Sequence, residues 1–187
     1  MRSLPILFCL SLSLAAHADD LPALTAEGKA LIPPFQQQLM ATVKNAMQAG
    51  GPVKAVESCQ LLAPQIASQH SQTPWTVGRT SLQVRNPANT ADAWEQQVLK
   101  DFATQQANGQ PLTGMQQVAE VDGELRIMQA IPVGEPCLAC HGKNLKPEVA
   151  AKIDQLYPKD QARGYDLGQL RGAFTLRRTL ENPSDQH

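Results

Sequence analysis

The residues best suited to chemistry in this sequence form a short run, Cys137-Leu138-Ala139-Cys140-His141. Two cysteines three positions apart, followed at once by a histidine, are typical of the covalent attachment of a c-type haem. One tight turn would bring both thiols to the same side, where each can form a thioether with a vinyl group of the porphyrin. His141 would then lie under the iron as its proximal ligand. The run therefore predicts one covalently attached haem c, held through Cys137, Cys140 and His141.

Two other kinds of site use a similar pair of cysteines. A thioredoxin-like redox pair has the Cys-x-x-Cys spacing, but it does not explain the adjacent histidine. Half of a zinc site also has this spacing, but the sequence holds no second Cys-x-x-Cys or His-x-x-x-His pair to complete four ligands. The haem interpretation is therefore favoured over both.

The start of the chain is typical of an export signal. Arg2 supplies a basic start, residues 4–14 form an apolar run, and Ala16-His17-Ala18 is a small-x-small cleavage site. The run is too short to span a bilayer, and no later segment is long and apolar enough to do so. We therefore expect a signal peptide at 1–18, one haem-binding domain at 19–187 and a periplasmic location, where bacterial haem attachment takes place.

Charge and composition exclude one class of partner. The whole chain has a net charge of −1, and removal of Arg2 would leave 15 basic residues against 17 acidic ones. No basic stripe of the kind that binds nucleic acid is present. Aromatic residues make up only 4% of the chain, so a buried porphyrin would supply bulk that rings usually give to a core.

Cys59 needs an explanation of its own. Cleavage would discard Cys9, and haem attachment would consume two of the remaining three cysteines. An odd cysteine in an oxidising compartment can join another chain, react, bind a metal or remain buried and inert. Val56, Cys59, Leu62 and Ile66 share one face of a predicted helix, and this spacing fits a buried thiol and an iron ligand equally well.

Hydrophobic periodicity and turn residues predict the elements that position these residues. They are a helix at 21–49 interrupted at Pro33-Pro34 and ended by Gly50-Gly51-Pro52, a helix at 53–68, an extended segment at 77–84, a helix at 93–107 capped by Thr90 or Asp92, hairpin arms at 115–121 and 124–133 around Asp122-Gly123, a helix from Pro147, and a strand at 172–178 before a frayed tail at 181–187. This order predicts an α+β domain, and the hairpin argues against a four-helix cytochrome.

Several stretches across nearly the whole mature chain carry a family resemblance. They are Ala55-Val56-Glu57-Ser58-Cys59, Ala63-Pro64-Gln65-Ile66-Ala67, Gly78-Arg79-Thr80-Ser81-Leu82, Arg85-Asn86-Pro87, Ala91-Asp92-Ala93-Trp94-Glu95, the motif from Cys137 to Gly142, Tyr157-Pro158, Gly164-Tyr165 and Arg171-Gly172-Ala173. Together they resemble exported c-type haem proteins with a PAS-like fold, a family catalogued as a domain of unknown function.

The resemblance implies a PAS-like antiparallel sheet flanked by helices, and iron held between two ligands from distant parts of the chain. Carried onto this sequence, those ligands are His141 on one side and Cys59 on the other. Met115 and Met128 are the fallback ligands, although packing is the ordinary role of methionine. His70, at a helix end, fits a solvated histidine better than a ligand.

Two arginines are candidates for binding the haem propionates. Arg79 and Arg85 lie in or beside the extended segment, and a guanidinium matches the fork of a carboxylate. Solvated arginines on a strand are the alternative interpretation.

Ligation by an imidazole and a thiolate favours ferric iron, and therefore predicts a low reduction potential. We expect a redox or gas sensor module, in which iron redox state or a small gas such as NO or CO displaces Cys59 and an unknown protein partner reads the change. A single-haem electron-transfer cytochrome is the alternative. A peroxidase-like enzyme is disfavoured, because the spare histidines, His70 and His187, are poorly placed to act as a distal acid–base group.

Overall fold

A computed structural model describes residues 20–180, so the predicted signal peptide at 1–18 and the tail at 181–187 lie outside the described residues. No helix within the described range is long and apolar enough to cross a membrane. The elements of this range, apart from a short 3-10 turn at Pro87–Asn89, are α1 (Leu21–His70), β1 (Trp75–Thr80), α2 (Ala93–Ala107), β2 (Gln116–Val121), β3 (Glu124–Pro132), α3 (Glu135–His141), α4 (Pro147–Leu156) and β4 (Leu170–Thr179).

Helix α1 consists of two arms, residues 21–49 and 52–70, separated by non-helical backbone at Gly50-Gly51. The predicted break at these glycines is therefore confirmed. The arms fold back on each other, because the rings of Phe35 in the first arm and His70 in the second have centroids 5.5 Å apart. The first arm lies along the sheet, and the second arm carries Cys59.

A break or kink was predicted at Pro33-Pro34, and no break occurs there, because the backbone remains helical through both prolines. A proline inside a helix removes a hydrogen bond and crowds the preceding turn. Here Ile32 and Phe35, which flank the pair, are fully buried against the sheet. Most helical stability in proteins comes from packing of this kind, and it outweighs the local penalty.

The four strands form one antiparallel sheet in the order β1-β4-β3-β2. The predicted hairpin is confirmed, since β2 and β3 are joined by Asp122 and Gly123, with φ angles of 52° and 76°. Positive φ at both central residues is what a tight hairpin turn requires. The α+β class predicted from the order of elements is confirmed as well.

Both faces of the sheet are covered by helices. One face packs against the two arms of α1 through a cluster of buried side chains: Ile32, Phe35, Leu39, Ile66, Trp75, Val77, Leu125, Ile127, Phe174 and Leu176. The other face packs against α2 through a second cluster: Ala91, Val98, Leu99, Phe102, Leu112, Met128, Ala130 and Ala173.

Strand β1 ends earlier than predicted, at Thr80 rather than residue 84. Ser81 forms an isolated bridge with Thr90 instead, and its hydroxyl donates to the Arg171 carbonyl at 2.7 Å. The chain after Ser81 therefore leaves the sheet. It passes beside α3 and the loop before β4, where the functional residues gather.

Candidate functional site

The cysteine and histidine motif forms a short helix, α3, rather than an isolated tight turn. Cys137, Cys140 and His141 occupy positions i, i+3 and i+4, so all three side chains lie on the same face of this helix. The helix ends where the Gly142 N–H donates to the Leu138 carbonyl at 3.0 Å. A Cβ atom at residue 142 would lie 2.6 Å from that same oxygen, so this end of the helix requires glycine.

The two thiols of the motif contact different apolar clusters. Cys137 packs against the cluster of Val133, Ala162 and Tyr165. Cys140 packs against the cluster of Val56, Val149 and Ile153, which joins the second arm of α1 to α4. The motif is thus held between the loop before β4 on one side and the two helices on the other.

His141 is oriented through its Nδ1 atom, which lies 2.7 Å from the Ala162 carbonyl oxygen. Because a carbonyl oxygen only accepts, Nδ1 carries the proton, and Nε2 keeps a free lone pair that can bind a metal. Burial holds the pKa of His141 well below its ordinary value, and the positive charges of Arg171 and Arg85 lower it further. The imidazole is therefore neutral at neutral pH, as a ligand must be.

Cys59 lies half-buried on the second arm of α1, one turn after Val56, which packs in the same cluster as Cys140. Burial raises the pKa of the Cys59 thiol, and the charges of Arg79 and Arg85 act in the opposite direction. The pKa of Cys140 is also raised, first by burial, and a charge on Cys59 would raise it further. The three cysteines of the described chain are thus grouped, and none forms a disulfide.

Arg85 is engaged with the protein through its Nε and Nη2 atoms. Its Nε donates to Asp160 Oδ1 at 3.0 Å, and its Nη2 donates to the carbonyl oxygens of Cys140 at 2.6 Å and Ala162 at 3.1 Å. Burial would raise the pKa of Asp160, but hydrogen bonds from Arg85 and Arg163 hold it below its ordinary value. Arg85 therefore joins the end of α3 to the loop before β4.

Arg79, unlike Arg85, has no carboxylate partner among the described residues. Burial lowers the pKa of its guanidinium, and a Cys59 thiolate and Arg171 are among the groups whose charges affect it. Within residues 20–180, no carboxylate lies within 4.0 Å of either the Arg79 or the Arg171 guanidinium, so neither forms a salt bridge there. Among the residues that the structure describes, two cations of the site thus lack an anionic partner.

Sequence reasoning did not assign a role to Arg171 or Tyr165, although both lie in stretches that carry the family resemblance. The Arg171 guanidinium lies 5.4 Å from the centroid of the Tyr165 ring, and its Nη1 donates to Ser81 Oγ at 3.1 Å. The Tyr165 ring in turn stands edge-on to His141, with centroids 6.4 Å apart. The resemblance was the available signal, because spacing along the chain does not bring these residues together.

Tyr157 is a further residue that spacing did not single out. The Arg85 guanidinium lies 6.0 Å from the centroid of its ring. Burial, together with a charge on Cys59, raises the pKa of Tyr157 to about 12. The phenol is therefore neutral and forms part of the wall around the thiol.

The other ligand candidates lie elsewhere. His70 has its Nε2 atom 2.7 Å from Gln38 Oε1, between the two arms of α1. Met128 is fully buried on the α2 face of the sheet, and Met115 packs beside it. The α1 face, by contrast, is the one against which the helix carrying Cys59 packs.

Two leucines next to the site are exposed, although apolar side chains of this size are usually buried. Leu62, one turn after Cys59, is 40% exposed, and Leu82, which follows Ser81, is 45% exposed. The expectation that Leu62 would share the buried face with Val56 and Ile66 is therefore wrong. An apolar surface beside a group of polar ligands is what a hydrophobic cofactor would cover.

The residues gathered here are of the kinds that a c-type haem requires. Two thiols and an imidazole share one face of α3, a third thiol lies on the neighbouring helix arm, and exposed apolar side chains border the group. Two guanidinium groups that have no carboxylate partner between residues 20 and 180 match the two propionates of one haem. The chain thus offers the covalent anchors, iron ligands, apolar contacts and positive charges that this cofactor would use.

Comparisons with known proteins agree with the fold. The family model described as Tll0287-like matches residues 21–178. Among solved structures, the chain is similar to the crystal structure of the cyanobacterial heme-protein Tll0287, with a TM-score of 0.64 and 23% sequence identity over 86% of this chain and 99% of that chain. At this identity the likeness shows a shared fold. A comparison with curated proteins found no match.

Proposed function

The chain belongs to the Tll0287-like family, and on that premise we propose that it is an exported protein carrying one covalently attached haem c. The observation that carries the proposal is the shared face of α3, on which two thiols lie beside an imidazole whose Nδ1 is already committed to a carbonyl. The solved relative is described as a heme-protein, which supports the same cofactor here. The antiparallel sheet with helices on both faces also supports the PAS-like classification.

Each site residue has a role in this proposal. Cys137 and Cys140 form the thioethers, and His141 Nε2 is the proximal ligand. The Cys59 sulfur is the ligand on the opposite face, which the grouping of Cys59 with Cys140 supports. When bound, haem supplies one-electron chemistry and an affinity for small gases, and anionic sulfur ligation lowers its reduction potential relative to a histidine and methionine pair.

Arg79 is the best candidate for a haem propionate, because its guanidinium lacks a carboxylate partner within the described chain. Arg85, the second arginine predicted from the sequence, already binds Asp160 through its Nε and two carbonyl oxygens through its Nη2. We therefore propose that Arg171 shares the propionate role with Arg79, and that Arg85 contributes to it only through its remaining Nη1 group.

The cofactor is tested on protein exported to the periplasm together with the haem attachment machinery. We expect the intact mass to exceed that of the polypeptide from residue 19 by one haem, and Cys137→Ala/Cys140→Ala to abolish the increase. A colourless wild-type product without this added mass would refute the proposal. A mature start at residue 19 would at the same time support the predicted signal peptide and periplasmic location.

The ligands are tested by low-temperature EPR of the ferric protein. We expect low-spin g values typical of thiolate ligation in the wild type, and their loss in Cys59→Ser. His70→Gln is the matched control, because His70 lies on the same helix arm but contacts Gln38 rather than the site. Retention of the thiolate signal in Cys59→Ser would exclude Cys59 as the ligand.

We further propose that the protein is a redox or gas sensor. The supporting observation is that Cys59 lies on the second arm of α1, which Gly50-Gly51 separates from the first arm, and that Gly51 has a φ of 69° and open space around it. Release of the sulfur would free this arm to shift, and a protein partner would read the shift. Titration of the ferrous protein with CO should change the Soret band, and failure to take up CO at any concentration would argue against sensing.

A single-haem electron carrier is the second candidate, because the grouped site offers a ligand for each axial position. A carrier keeps both ligands in both redox states. Protein-film voltammetry separates the two roles: closely spaced oxidative and reductive peaks at all scan rates favour a carrier, and a wide gap that grows with scan rate favours ligand exchange.

A further inference from the structure

We infer that Asp160 and Arg85 form a positioning pair that sets how strongly His141 donates to the haem iron. The inference rests on the proposed ligation by His141 and concerns a part of the chain that the ligation itself does not assign. Its starting point is the Ala162 carbonyl oxygen, which accepts from His141 Nδ1 at 2.7 Å and from Arg85 Nη2 at 3.1 Å. One backbone acceptor therefore serves both the ligand and a cation.

Asp160 contacts both the Ala162 peptide that supplies this acceptor and the Arg85 guanidinium bound to it. Its Oδ1 accepts from Arg85 Nε at 3.0 Å and from the Ala162 N–H at 3.0 Å, and its Oδ2 accepts from Arg163 Nε at 2.6 Å. The carboxylate is 2% exposed, so water does not screen these contacts. Asp160 thus aligns the Ala162 peptide and the Arg85 guanidinium in a single arrangement.

Arg85 also binds the backbone immediately before the ligand His141. The same Nη2 group donates at 2.6 Å to the carbonyl of Cys140, the residue before His141. Carbonyls in the last turn of a helix have no partner within the helix, so this donor satisfies one that would otherwise be unpaired. The backbone of the ligand and the acceptor of its ring proton are therefore both tied to one guanidinium.

The arrangement has an electronic consequence with a definite sign. A hydrogen-bond partner on the far nitrogen of a ligating histidine sets its donor strength. A cation bound to the same carbonyl withdraws electron density from the oxygen, weakens its pull on the Nδ1 proton and leaves the imidazole a poorer donor. Arg85 therefore favours ferrous iron, and Asp160, by neutralising Arg85, favours ferric iron.

The test measures the midpoint potential by spectroelectrochemistry and, in a Cys59→Ala background that leaves His141 as the one protein ligand, the iron–histidine stretch by resonance Raman spectroscopy of the ferrous holoprotein. We expect Arg85→Gln to lower the potential and raise the stretching frequency, and Asp160→Asn to do the reverse. Each change should alter the ferric-to-ferrous ratio at the wild-type midpoint by about tenfold, equivalent to about 59 mV for one electron. Shifts of the same sign in both variants would overturn the inference, because they indicate general disruption.

Two further variants separate positioning from the effect of charge alone. Arg163→Gln removes a cation from the same carboxylate without touching the Ala162 carbonyl, and should leave the stretching frequency unchanged. Arg85→Lys keeps the charge but lacks the fork that reaches both carbonyls, so its frequency should resemble that of Arg85→Gln. A wild-type frequency in Arg85→Lys would overturn the inference even if Arg85→Gln proved unstable. Wild-type protein without covalent haem would instead refute the proposed function.

Discussion

Two groups of arginines lie on opposite sides of the sheet, and they differ in how their charge is neutralised. On the α2 face, Arg126 and Arg177 share two carboxylates, with Asp92 at 2.6 and 3.0 Å and Glu95 at 3.2 and 3.0 Å. We call these four residues the balanced cluster. Its charges sum to zero within the chain, and the Arg126 guanidinium also lies 4.7 Å from the centroid of the Trp94 ring.

The second group, on the side of α1 and α3, consists of Arg79, Arg85, Arg171 and Asp160, and we call it the site cluster. Here three guanidinium groups have one carboxylate among them, and Asp160 also binds Arg163. A buried charge is costly unless it is paired. The balanced cluster is therefore complete as a structural element, whereas the site cluster keeps an excess of positive charge, which the propionates of the proposed haem would neutralise.

Disrupting the balanced cluster should have the largest effect on stability. Glu95 is 1% exposed, and Glu95→Ala would leave Arg126, itself 4% exposed, with only the half-exposed Asp92. Breaking a buried ion pair from one side costs about 3–5 kcal/mol in the free energy of unfolding. Urea unfolding measures this loss. Glu120→Ala, at an exposed position of β2, is the control and should stay within about 0.5 kcal/mol.

Removing a cation from the site cluster should have a much smaller effect, and this difference is the sharpest test of the comparison. We expect Arg79→Gln to change the free energy of unfolding by less than about 1 kcal/mol, because no carboxylate of the described chain depends on it. Urea unfolding in a Cys137→Ala/Cys140→Ala background measures the polypeptide without covalent haem. A loss as large as that of Glu95→Ala would show that Arg79 is a structural residue.

Acid should weaken both clusters through one carboxylate in each. Burial would raise the pKa values of Asp92 and Asp160, but hydrogen bonds from arginines hold both below the ordinary value of 3.8. A lowered pKa stabilises the folded state above 3.8, and this contribution disappears as the pH falls through the folded-state pKa. Urea midpoints measured from about pH 6 down to about pH 3 should therefore fall less steeply in Asp92→Asn and in Asp160→Asn than in the wild type. Slopes equal to that of the wild type would contradict the assignment.

The smallest expected effect comes from anions added to the protein without covalent haem. A dicarboxylate such as succinate should stabilise the site cluster by binding Arg79 and Arg171. At a concentration equal to its Kd the gain is RT ln 2, about 0.4 kcal/mol, which corresponds to a rise in Tm of about 1–2 °C. Arg79→Gln/Arg171→Gln should remove the rise relative to chloride at equal ionic strength. Persistence of the rise in this variant would place the binding elsewhere.

The sequence allowed prediction of those features that neighbouring residues determine. Asp92 and Glu95 form a reciprocal cap in which each side chain accepts the other residue's backbone N–H, so α2 begins as predicted. The Asp122-Gly123 turn similarly defines the hairpin. By contrast, the continuity of α1 through Pro33-Pro34 depends on packing against strands far along the chain, which no local pattern contains.

The candidate site was predictable only in part, for the same physical reason. The spacing within Cys137–His141 is local, the resemblance pointed to Cys59, and the match between a guanidinium and a carboxylate suggested Arg79. Asp160 contacts Arg85, which lies 75 positions earlier in the chain. Arg171 contacts Ser81, which lies 90 positions earlier. Hydrophobic periodicity does not encode contacts between such distant residues. The role of Arg85 in binding two backbone carbonyls therefore followed only from its hydrogen bonds.

The reversal of α1 at Gly50-Gly51 has a consequence for the reach of the chain. A straight helix of its 50 residues would extend about 75 Å, well beyond a domain of this size. The second arm instead turns back alongside the first, where His70 lies against Phe35 and Gln38, so the sulfur of Cys59 is carried by an arm that starts at the glycine link. Lengthening or shortening the glycine link would therefore change the position of that sulfur in the site without altering the β-sheet.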